Sequence, residues 1–335
     1  MSSPVLDRPR LREELEDFSV DEEPLYLPSG SGEHTFVRIE KRLRTTPEVA
    51  EDLARAAACR PREVGYAGRK DRRGVTRQWF SVPGLPPETA QGLEIPGVRI
   101  LEAVRHPHKL RTGHLRGNLF EIRVRGIDAI DLDQLEGTLC RVRDKGLTNR
   151  FGHQRFGRRG DNAERARELL NGEPARGDRR AHRFLLSALQ AEVFNRVLEQ
   201  RRLPLDRVEP GDVAMVHRSG GLFVVEDEPR ENSRAADFEI SATGPIFGTK
   251  VKKPEGKVAL LEAAVLSAHG IPPVDELRLP RGIRMRGTRR PFRVPVRELE
   301  WETGGGDLQL RFALPAGSYA SVFVEEVVGE VDDFG

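Results

Sequence analysis

Hydrophobic and polar residues alternate in the early and the late parts of this chain, as in β-strands with one buried face. In residues 119–125, Phe120, Ile122 and Val124 point to one side and charged residues to the other. This pattern is typical of an antiparallel sheet that is solvated on one side. We predict strands at Phe36–Glu40, Val75–Ser81, Val98–Val104, Leu119–Arg125, Leu308–Ala313 and Val322–Val328, with Gly304–Gly306 as a hairpin tip.

Apolar residues recur at helical spacing elsewhere in the chain. Thr46 is expected to cap the first helix, with Pro47 at its first position and Pro61 stopping it. The second helix is expected to end at Gly146, because glycine commonly follows a helix. The further predicted elements are helices at Leu132–Lys145, Ala163–Leu170, Ala181–Gln200 and Val258–Ser267, and a short hairpin of Val213–His217 with Leu222–Val225.

The order of these elements predicts an α+β protein. The late strands are expected to complete the early sheet, so that the middle of the chain is an insertion. The predicted domains are therefore a discontinuous domain of residues 1–145 and 289–335, and an inserted domain of residues 146–288.

Charge is unevenly distributed along the 335 residues. The net charge is only +2, but 32% of the residues are charged and the arginines are clustered. Local basic stripes attract a phosphate backbone more than net charge does. An arginine-rich surface with many ion pairs would give the same composition, so composition alone does not distinguish nucleic-acid binding from such a surface. The clusters lie around Asp71 and at Arg150–Arg159, Arg176–Arg183 and Arg278–Arg293.

Cysteine, histidine and apolar content exclude several classes. Cys59 and Cys140 are too few and too far apart for a zinc site or a disulfide framework. The histidines are scattered, so no metal is expected. No apolar run approaches the roughly 20 residues that cross a bilayer, and the start does not read as a signal peptide. We therefore expect a reduced, cytoplasmic protein without a membrane partner.

The most informative stretch is Gly65–Ser81. Asp71 is the only acid in a run that contains Arg69, Lys70, Arg72 and Arg73. Flanking glycines predict a bend, and the alternation after it predicts a strand that carries the bend. A carboxylate among cations stays ionised, so Asp71 is suited to act as a nucleophile or base beside a polyanion.

The order of residues in this stretch resembles the signature of the TruD family of tRNA pseudouridine synthases, G-x-A-G-x-K-D-x-x-(A/G)-V-T-x-Q. Further blocks are similar to family blocks in the same order, although Arg150 replaces the usual tyrosine in one of them. These blocks are Glu16-Asp17-Phe18-x-Val20, Gly32-Glu33-His34 followed by Lys41, Gly117-Asn118-x-Phe120, Asn149–Gly157, Gly244–Gly248 and Leu314–Ala320.

The resemblance implies a pseudouridine-synthase-like catalytic domain with a mixed, mainly antiparallel sheet flanked by helices, and an inserted α/β TRUD domain. It implies a uridine in tRNA as substrate, by resemblance the one at position 13. Asp71 is the implied catalytic residue. Because the isomerisation involves no net redox change, no cofactor is expected. The implied substrate-binding residues are Arg12, Lys70, Gln78, Asn118 and Phe120, and Arg12 is also implied as an ion-pair partner of Asp71.

Some alternatives stay open at this point. By alternation alone Phe120 belongs to the core, whereas the resemblance implies an aromatic platform for the target base. Asp71 could attack ribose C1′, add to uracil C6 or remove a proton from C2′. A non-catalytic RNA-binding protein on the same scaffold, or a metal-dependent RNA hydrolase using Asp71, are the rival functions. A monomer is the default expectation.

Overall fold

The computed structural model describes residues 8–157, 159–172, 177–273, 276–277, 279 and 282–335. These residues form two compact units. The first runs to Arg143 and resumes over Val296–Ala320 and Val324–Gly335, and the second comprises Asp144–Pro295 with Ser321–Phe323. The predicted domain boundaries lie at 145/146 and 288/289. The roles of the two domains stay predictions.

Sixteen strands are formed by the described residues, and most are short. Every predicted strand except Val322–Val328 is confirmed. The strands are β1 Arg10–Leu11, β2 Phe18–Pro24, β3 His34–Arg42, β4 Gly65–Tyr66, β5 Val75–Pro83, β6 Val98–His106, β7 Leu115–Arg125, β8 Leu147–Thr148, β9 Val213–Val216, β10 Leu222–Val224, β11 Ile240–Ile246, β12 Thr288–Pro291, β13 Arg293–Val294, β14 Arg297–Gly304, β15 Asp307–Pro315 and β16 Asp332–Asp333.

The helices agree with the apolar spacing in the sequence, and the predicted helix bounds hold to within a few residues. Single 3-10 turns lie at Leu15–Asp17, Pro61–Glu63 and His153–Phe156. The α-helices are α1 Thr46–Ala56, α2 Pro87–Gln91, α3 Leu132–Lys145, α4 Asn162–Leu170, α5 Arg179–Gln200, α6 Glu228–Ala236, α7 Gly256–Ala268 and α8 Ala320–Val328.

The first unit is built on one ten-stranded sheet with the order β14-β15-β7-β2-β5-β3-β6, to which β1, β4 and β16 are added at the sides. All pairings are antiparallel except β2 with β5 and β1 with β16. The prediction of an α+β fold with a mixed, mainly antiparallel sheet is therefore confirmed. The hairpin tip is confirmed too, since Gly305 and Gly306 both have positive φ, 61° and 79°, as a type I′ hairpin turn requires.

One row of side chains crosses this sheet on a single face. Strand register places Lys41 opposite Thr76, Thr76 opposite Val20, Val20 opposite Phe120 and Phe120 opposite Phe312. Residues opposite each other on neighbouring strands share a face of the sheet. All five side chains are buried, so this face of the sheet is part of the core of the first unit.

Two local predictions need correction. The cap of α1 is Thr45, not Thr46: Thr45 accepts from the backbone N–H of Glu48, and the Glu48 carboxylate accepts from that of Thr45 at 2.6 Å. This is a capping box. The predicted strand Val322–Val328 lies in helix α8. Most of its buried residues, Ala320, Phe323, Val324 and Val327, recur at helical spacing, and Val322 is buried as well. The helical spacing outweighs the strand preference of valine.

The second unit has its own core. A four-stranded antiparallel sheet of order β10-β9-β11-β12 packs with the long helix α5, and β8 pairs with β13. Phe194, Phe247 and Phe292 are among the buried residues of this core. The predicted short hairpin is confirmed as β9 and β10. Among the residues that the structure describes, no helix is both long and apolar enough to span a bilayer.

Candidate active site

Asp71 lies in the bend between β4 and β5, as the sequence predicts, and its side chain is 47% exposed. The bend closes at Gly74, whose φ is 134°. A Cβ atom at this position would lie 2.6 Å from the backbone oxygen of Phe18. Glycine is therefore required at this point both by the positive φ and by the close approach of β2. The bend presents Asp71 to solvent from a backbone that the sheet holds.

Hydrogen bonds from α1 and β5 fix the start of the bend. The Thr46 hydroxyl accepts from the backbone N–H of Lys70 at 2.9 Å and donates to Gln78 Oε1 at 2.9 Å. Gln78 Nε2 then donates to the backbone oxygen of Gly68 at 3.1 Å. Thr46 and Gln78 are both buried. Thr46 thus serves the bend, which explains why Thr45 and not Thr46 caps the helix.

Lys70 points inward and forms an ion pair with Glu22 of β2. The Nζ–Oε2 distance is 2.6 Å, and the two side chains are only 6% and 1% exposed. Glu22 Oε1 also accepts from the backbone N–H of Trp79 at 3.4 Å. Breaking such a pair by removing one partner is strongly destabilising, because it leaves an uncompensated buried charge. In this conformation Lys70 anchors the bend from inside.

Arg12 reaches Asp71, as the family resemblance implies. Arg12 Nη1 donates to Asp71 Oδ2 at 3.0 Å. The guanidinium carbon lies 4.5 Å from the centre of the Phe18 ring, within the range of a cation–π contact. Arg12 is buried and has a φ of 61°, which is uncommon for a residue other than glycine. Its other donors go to Asp333: Nε to Oδ1 at 2.8 Å and Nη2 to Oδ2 at 2.5 Å.

Lys41 contacts the backbone of Asp71. Its ammonium donates to the carbonyl oxygen of Asp71 at 2.6 Å, and its side chain is buried. Burial lowers the pKa of Lys41 to about 8, although the negative charge of Asp71 acts in the opposite direction. The nearby positive charge of Lys70 lowers this pKa further. Two basic groups, Arg12 and Lys41, thus hold Asp71 from inside the protein.

Asn118 and Phe120 lie two residues apart on β7, on the same face as Lys41. Asn118 is opposite Glu22 in the register, and Glu22 is the residue that pairs with Lys70. The buried Oδ1 atom of Asn118 has no hydrogen-bond partner among the described residues, and such an orphaned atom in a folded protein calls for an explanation. Phe120 is 6% exposed and stacks on Phe312 with ring centres 5.3 Å apart.

The remaining cations of the bend divide into two groups. Arg69 and Arg72 are exposed. Arg69 has no hydrogen bond or ion pair within the described part of the chain, and Arg72 donates to the backbone oxygen of Leu43 at 3.1 Å. Arg73 donates to the backbone oxygen of Glu13 at 2.8 Å, and Arg77 pairs with Glu40 at 3.0 Å. Arg69 is therefore the cation of the bend that is most available to a ligand.

The other predicted basic clusters lie in the second unit. In that unit Arg183, Arg284 and Arg286 line a cavity of about 270 Å³. Some members of these clusters, Arg158, Arg176, Arg278 and Arg281, lie outside the described residues. In the portion that the structure describes, no three His, Cys, Asp or Glu side chains are placed to hold a metal ion.

Three residues of this site, Lys41, Glu22 and Asp333, have no role that the sequence predicts. Lys41 follows one of the blocks that resemble the TruD family, but that block does not indicate that its ammonium binds the backbone oxygen of Asp71. Glu22 leaves a weak signal, since it occupies an inward position after Phe18 and Val20 in an alternating strand. Asp333 leaves no local signal, because its contact with Arg12 spans 321 positions of the sequence.

A solved structure has the same fold. The crystal structure of a tRNA pseudouridine synthase D (TruD) candidate from Methanosarcina mazei superposes with a TM-score of 0.76, at 20% sequence identity, over 97% of this chain and 94% of the other. The two chains share a fold, and at this identity the comparison establishes the fold alone.

Sequence comparisons go further. The family model of tRNA pseudouridine synthase D (TruD) matches residues 8–177 and 178–327. The tRNA pseudouridine synthase D of Thermus thermophilus is 44% identical over 95% of this chain and 88% of its own length. That of Geobacter metallireducens is 39% identical, over 95% and 94%. The chain belongs to the TruD family of tRNA pseudouridine synthases, which are isomerases, and the resemblance read from the sequence is confirmed.

Proposed function

We propose that this protein converts a uridine of tRNA, the one at position 13, into pseudouridine, and that Asp71 is the catalytic residue. The observation that carries the proposal is the state of the Asp71 carboxylate. Oδ2 is held by buried Arg12, the backbone oxygen is held by buried Lys41, and the side chain is nearly half exposed. Within the described part of the chain no hydrogen bond involves Oδ1, which leaves that oxygen available to a substrate.

The reaction is an isomerisation. The bond between ribose C1′ and uracil N1 breaks, the base turns, and C1′ joins C5. The proton that C5 loses is balanced by the proton that N1 gains, so no oxidant, reductant or cofactor is consumed. Asp71 serves this reaction by attacking C1′, by adding to C6 or by removing a proton from C2′, and all three routes need a free carboxylate oxygen.

The target nucleotide must leave its stack before Asp71 can reach the sugar. Extruding it costs a few kcal/mol, which contacts with the RNA backbone offset. We assign these contacts first to Arg69 and Arg72, because both are exposed in the same bend as Asp71. Phosphate contacts of this kind position RNA without reading its sequence.

The detached uracil must stay close to the sugar until C1′ joins C5. Asn118 fits this task, because its amide has a buried oxygen without a partner that can accept from an N–H of the base. Phe120, two residues along the same strand, is proposed as the aromatic platform. Arg12, Lys70 and Gln78 remain proposed members of the substrate site. Their observed contacts support a role through the shape of the bend.

We further propose that the first unit is the catalytic domain, that the second is an inserted RNA-binding domain, and that the protein acts as a monomer in the cytoplasm. The arginine-lined cavity of Arg183, Arg284 and Arg286 supports the assignment of the second unit, since arginine forms strong, often bidentate hydrogen bonds with phosphate groups.

The substitution Asp71→Asn tests the catalytic assignment, because it preserves the shape of the side chain and removes its charge. We expect this variant to bind a transcribed tRNA but to form no pseudouridine at position 13. Carbodiimide mapping at nucleotide resolution measures the product. The matched control is Asp332→Asn, an exposed aspartate of the same unit, which should modify the tRNA fully. Full modification by Asp71→Asn would refute the assignment, and a wild-type protein that modified another uridine but left position 13 unmodified would refute position 13.

A further inference from the structure

Arg12 is shared by two carboxylates that lie far apart in the sequence. Asp333 accepts from Nε and Nη2, which form one edge of the planar guanidinium, and Asp71 accepts from Nη1 alone. The Arg12 side chain is 2% exposed, whereas those of Asp71 and Asp333 are 47% and 29% exposed. A cation buried this deeply must be paired with negative charge. Of its two carboxylate partners, only Asp71 is proposed to take part in the reaction, so the role of Asp333 needs an explanation.

The division of the donors decides how much of Asp71 remains free. Arginine and carboxylate groups commonly form two parallel hydrogen bonds. If Arg12 offered such an edge to Asp71, both carboxylate oxygens would be engaged by the guanidinium, and neither would be free of a charged partner. Asp333 occupies the Nε–Nη2 edge, and Asp71 receives a single bond, from Nη1 at 3.0 Å.

Asp333 is itself held in place by the tail segment, which we define as residues 331–335. Strand β16 pairs in parallel with β1, with Asp333 opposite Leu11, the neighbour of Arg12. Asp333 Oδ1 also accepts from the backbone N–H of Gly335 at 3.0 Å. A Cβ atom on Gly335 would lie 2.3 Å from Arg12 Cζ, which shows how closely the tail segment wraps the guanidinium.

The backbone of Arg12 supports the same interpretation. A φ of 61° at a residue other than glycine persists only where its surroundings enforce it. Here the parallel pairing of Leu11, the Phe18 ring and Asp333 all constrain Arg12. These contacts determine the direction in which the guanidinium points.

We infer that Asp333 is a positioning residue for the isomerisation: it orients Arg12 so that a single N–H meets Asp71 Oδ2 and Oδ1 stays free for the nucleotide. The inference rests on the proposed function of Asp71. Asp333 acts through Arg12 and does not touch the substrate. Removing it should therefore slow the chemical step and leave tRNA binding intact.

The test compares Asp333→Asn with Asp332→Asn in the full chain. Both remove one negative charge from β16, but the Asp332 side chain has no ion pair within the described residues. In single-turnover assays with saturating protein, we expect Asp333→Asn to slow pseudouridine formation about 10- to 100-fold, by analogy with carboxylates that orient the ligands of metal sites. The dissociation constant for tRNA should change less than about twofold, and Asp333→Glu should recover much of the rate. Equal rates for Asp333→Asn and Asp332→Asn would overturn the inference.

A second measurement is independent of activity. In ¹⁵N-labelled protein the Nε–H resonance of Arg12, assigned by its loss in Arg12→Lys, should be protected from exchange in the wild type and in Asp332→Asn. In Asp333→Asn it should shift and exchange faster, because a charge-assisted bond is lost. An unchanged resonance would overturn the inference. If the wild type makes no pseudouridine, the proposed function fails, and this resonance still decides whether Asp333 holds Arg12.

Discussion

The ammonium group of Lys41 lies 2.6 Å from the backbone carbonyl oxygen of Asp71, and the Lys41 side chain is fully buried. Burial lowers the pKa of Lys41 from 10.5 to about 8, while the negative charges of Asp71 and Glu48 oppose that change. The charge that holds the backbone of Asp71 is therefore lost within an experimentally accessible pH range.

The rate of pseudouridine formation should accordingly fall as the pH rises through about 8, because neutral Lys41 binds the Asp71 carbonyl oxygen less strongly. In Lys41→Met the single-turnover rate should be lower at neutral pH and should show no inflection near that value. Uracil also ionises in alkali, but that ionisation is common to both proteins and cancels in their ratio. A wild-type profile that matches that of Lys41→Met in shape would contradict the prediction.

The free energy of unfolding should rise with pH, whereas the reaction rate should fall. The pKa of Lys41 is about 8 in the folded protein and 10.5 in its ordinary state, so between these values the unfolded chain binds more protons. The contribution of Lys41 to the free energy of unfolding therefore rises with pH across that interval. Urea unfolding, followed by fluorescence, should show this rise in the wild type and a smaller one in Lys41→Met. Both tryptophans, Trp79 and Trp301, belong to the first unit, so the signal reports on the unit that contains Lys41.

The buried ion pair of Lys70 and Glu22 leads to a prediction on stability. Lys70→Met should lower the free energy of unfolding of the first unit by about 3–5 kcal/mol, because the Glu22 charge stays buried without its partner. The double variant with Glu22→Leu should recover most of that loss. As a control, Arg55→Met removes an exposed partner of Asp52 and should cost less than about 1 kcal/mol. A loss from Lys70→Met as small as that of the control would contradict the prediction.

The Lys70 variant also tests the proposal that Lys70 binds substrate. A lysine that neutralises a tRNA phosphate contributes about one unit to the slope of log affinity against log salt concentration. Arg69→Ala provides the comparison, because Arg69 is exposed in the same bend. We expect Arg69→Ala to reduce the slope by about one. An equal reduction in Lys70→Met would show that the lysine leaves Glu22 for a phosphate when RNA binds.

Gly74 leads to a prediction on the shape of the bend. Gly74→Ala adds a Cβ atom 2.6 Å from the backbone oxygen of Phe18, whereas Gly84→Ala, also at a positive φ, adds one into open space. Gly84→Ala should cost about 1 kcal/mol through its backbone conformation, and Gly74→Ala should cost more than about 2 kcal/mol. Gly74→Ala should also slow the reaction, since Phe18 packs on Arg12. Equal losses of stability in urea unfolding would contradict this.

Much of the fold could be predicted because alternation and helical spacing are local signals. The tip at Gly305 and Gly306 and the end of α3 before Gly146 follow from the conformational freedom of glycine. Helix α8 could not be predicted from valine content, because residue preference and spacing disagreed there. Burial of the helix decided the outcome, and burial depends on the tertiary structure.

The candidate site was predictable to the extent that it lies in one short segment. Asp71 and its bend are contiguous in the sequence, and the pairing with Arg12 was implied by the family resemblance. The inward turn of Lys70 toward Glu22 was not predictable, because a lysine in a basic loop normally faces solvent. The contact of Asp333 with Arg12 requires the parallel pairing of β1 with β16, and a pairing between such distant segments has no local signature.

Phe120 leads to a last prediction, because two interpretations of it remain. Its ring stacks on Phe312 with centres 5.3 Å apart and planes inclined by 24°, and it lies on the strand that carries Asn118. Leucine at either position keeps an apolar side chain and should cost a similar, modest amount of stability. If Phe120 is a platform for the extruded uracil, Phe120→Leu loses base stacking of about 1–3 kcal/mol.

We expect Phe120→Leu to reduce the single-turnover rate, or to raise the protein concentration at half-maximal rate, by about 5- to 150-fold, which corresponds to that stacking energy. Phe312→Leu should leave both quantities within about twofold. Equal kinetic effects of the two substitutions would mean that Phe120 acts only as a core residue. Base recognition would then fall to Asn118, whose buried amide oxygen lacks a partner among the described residues.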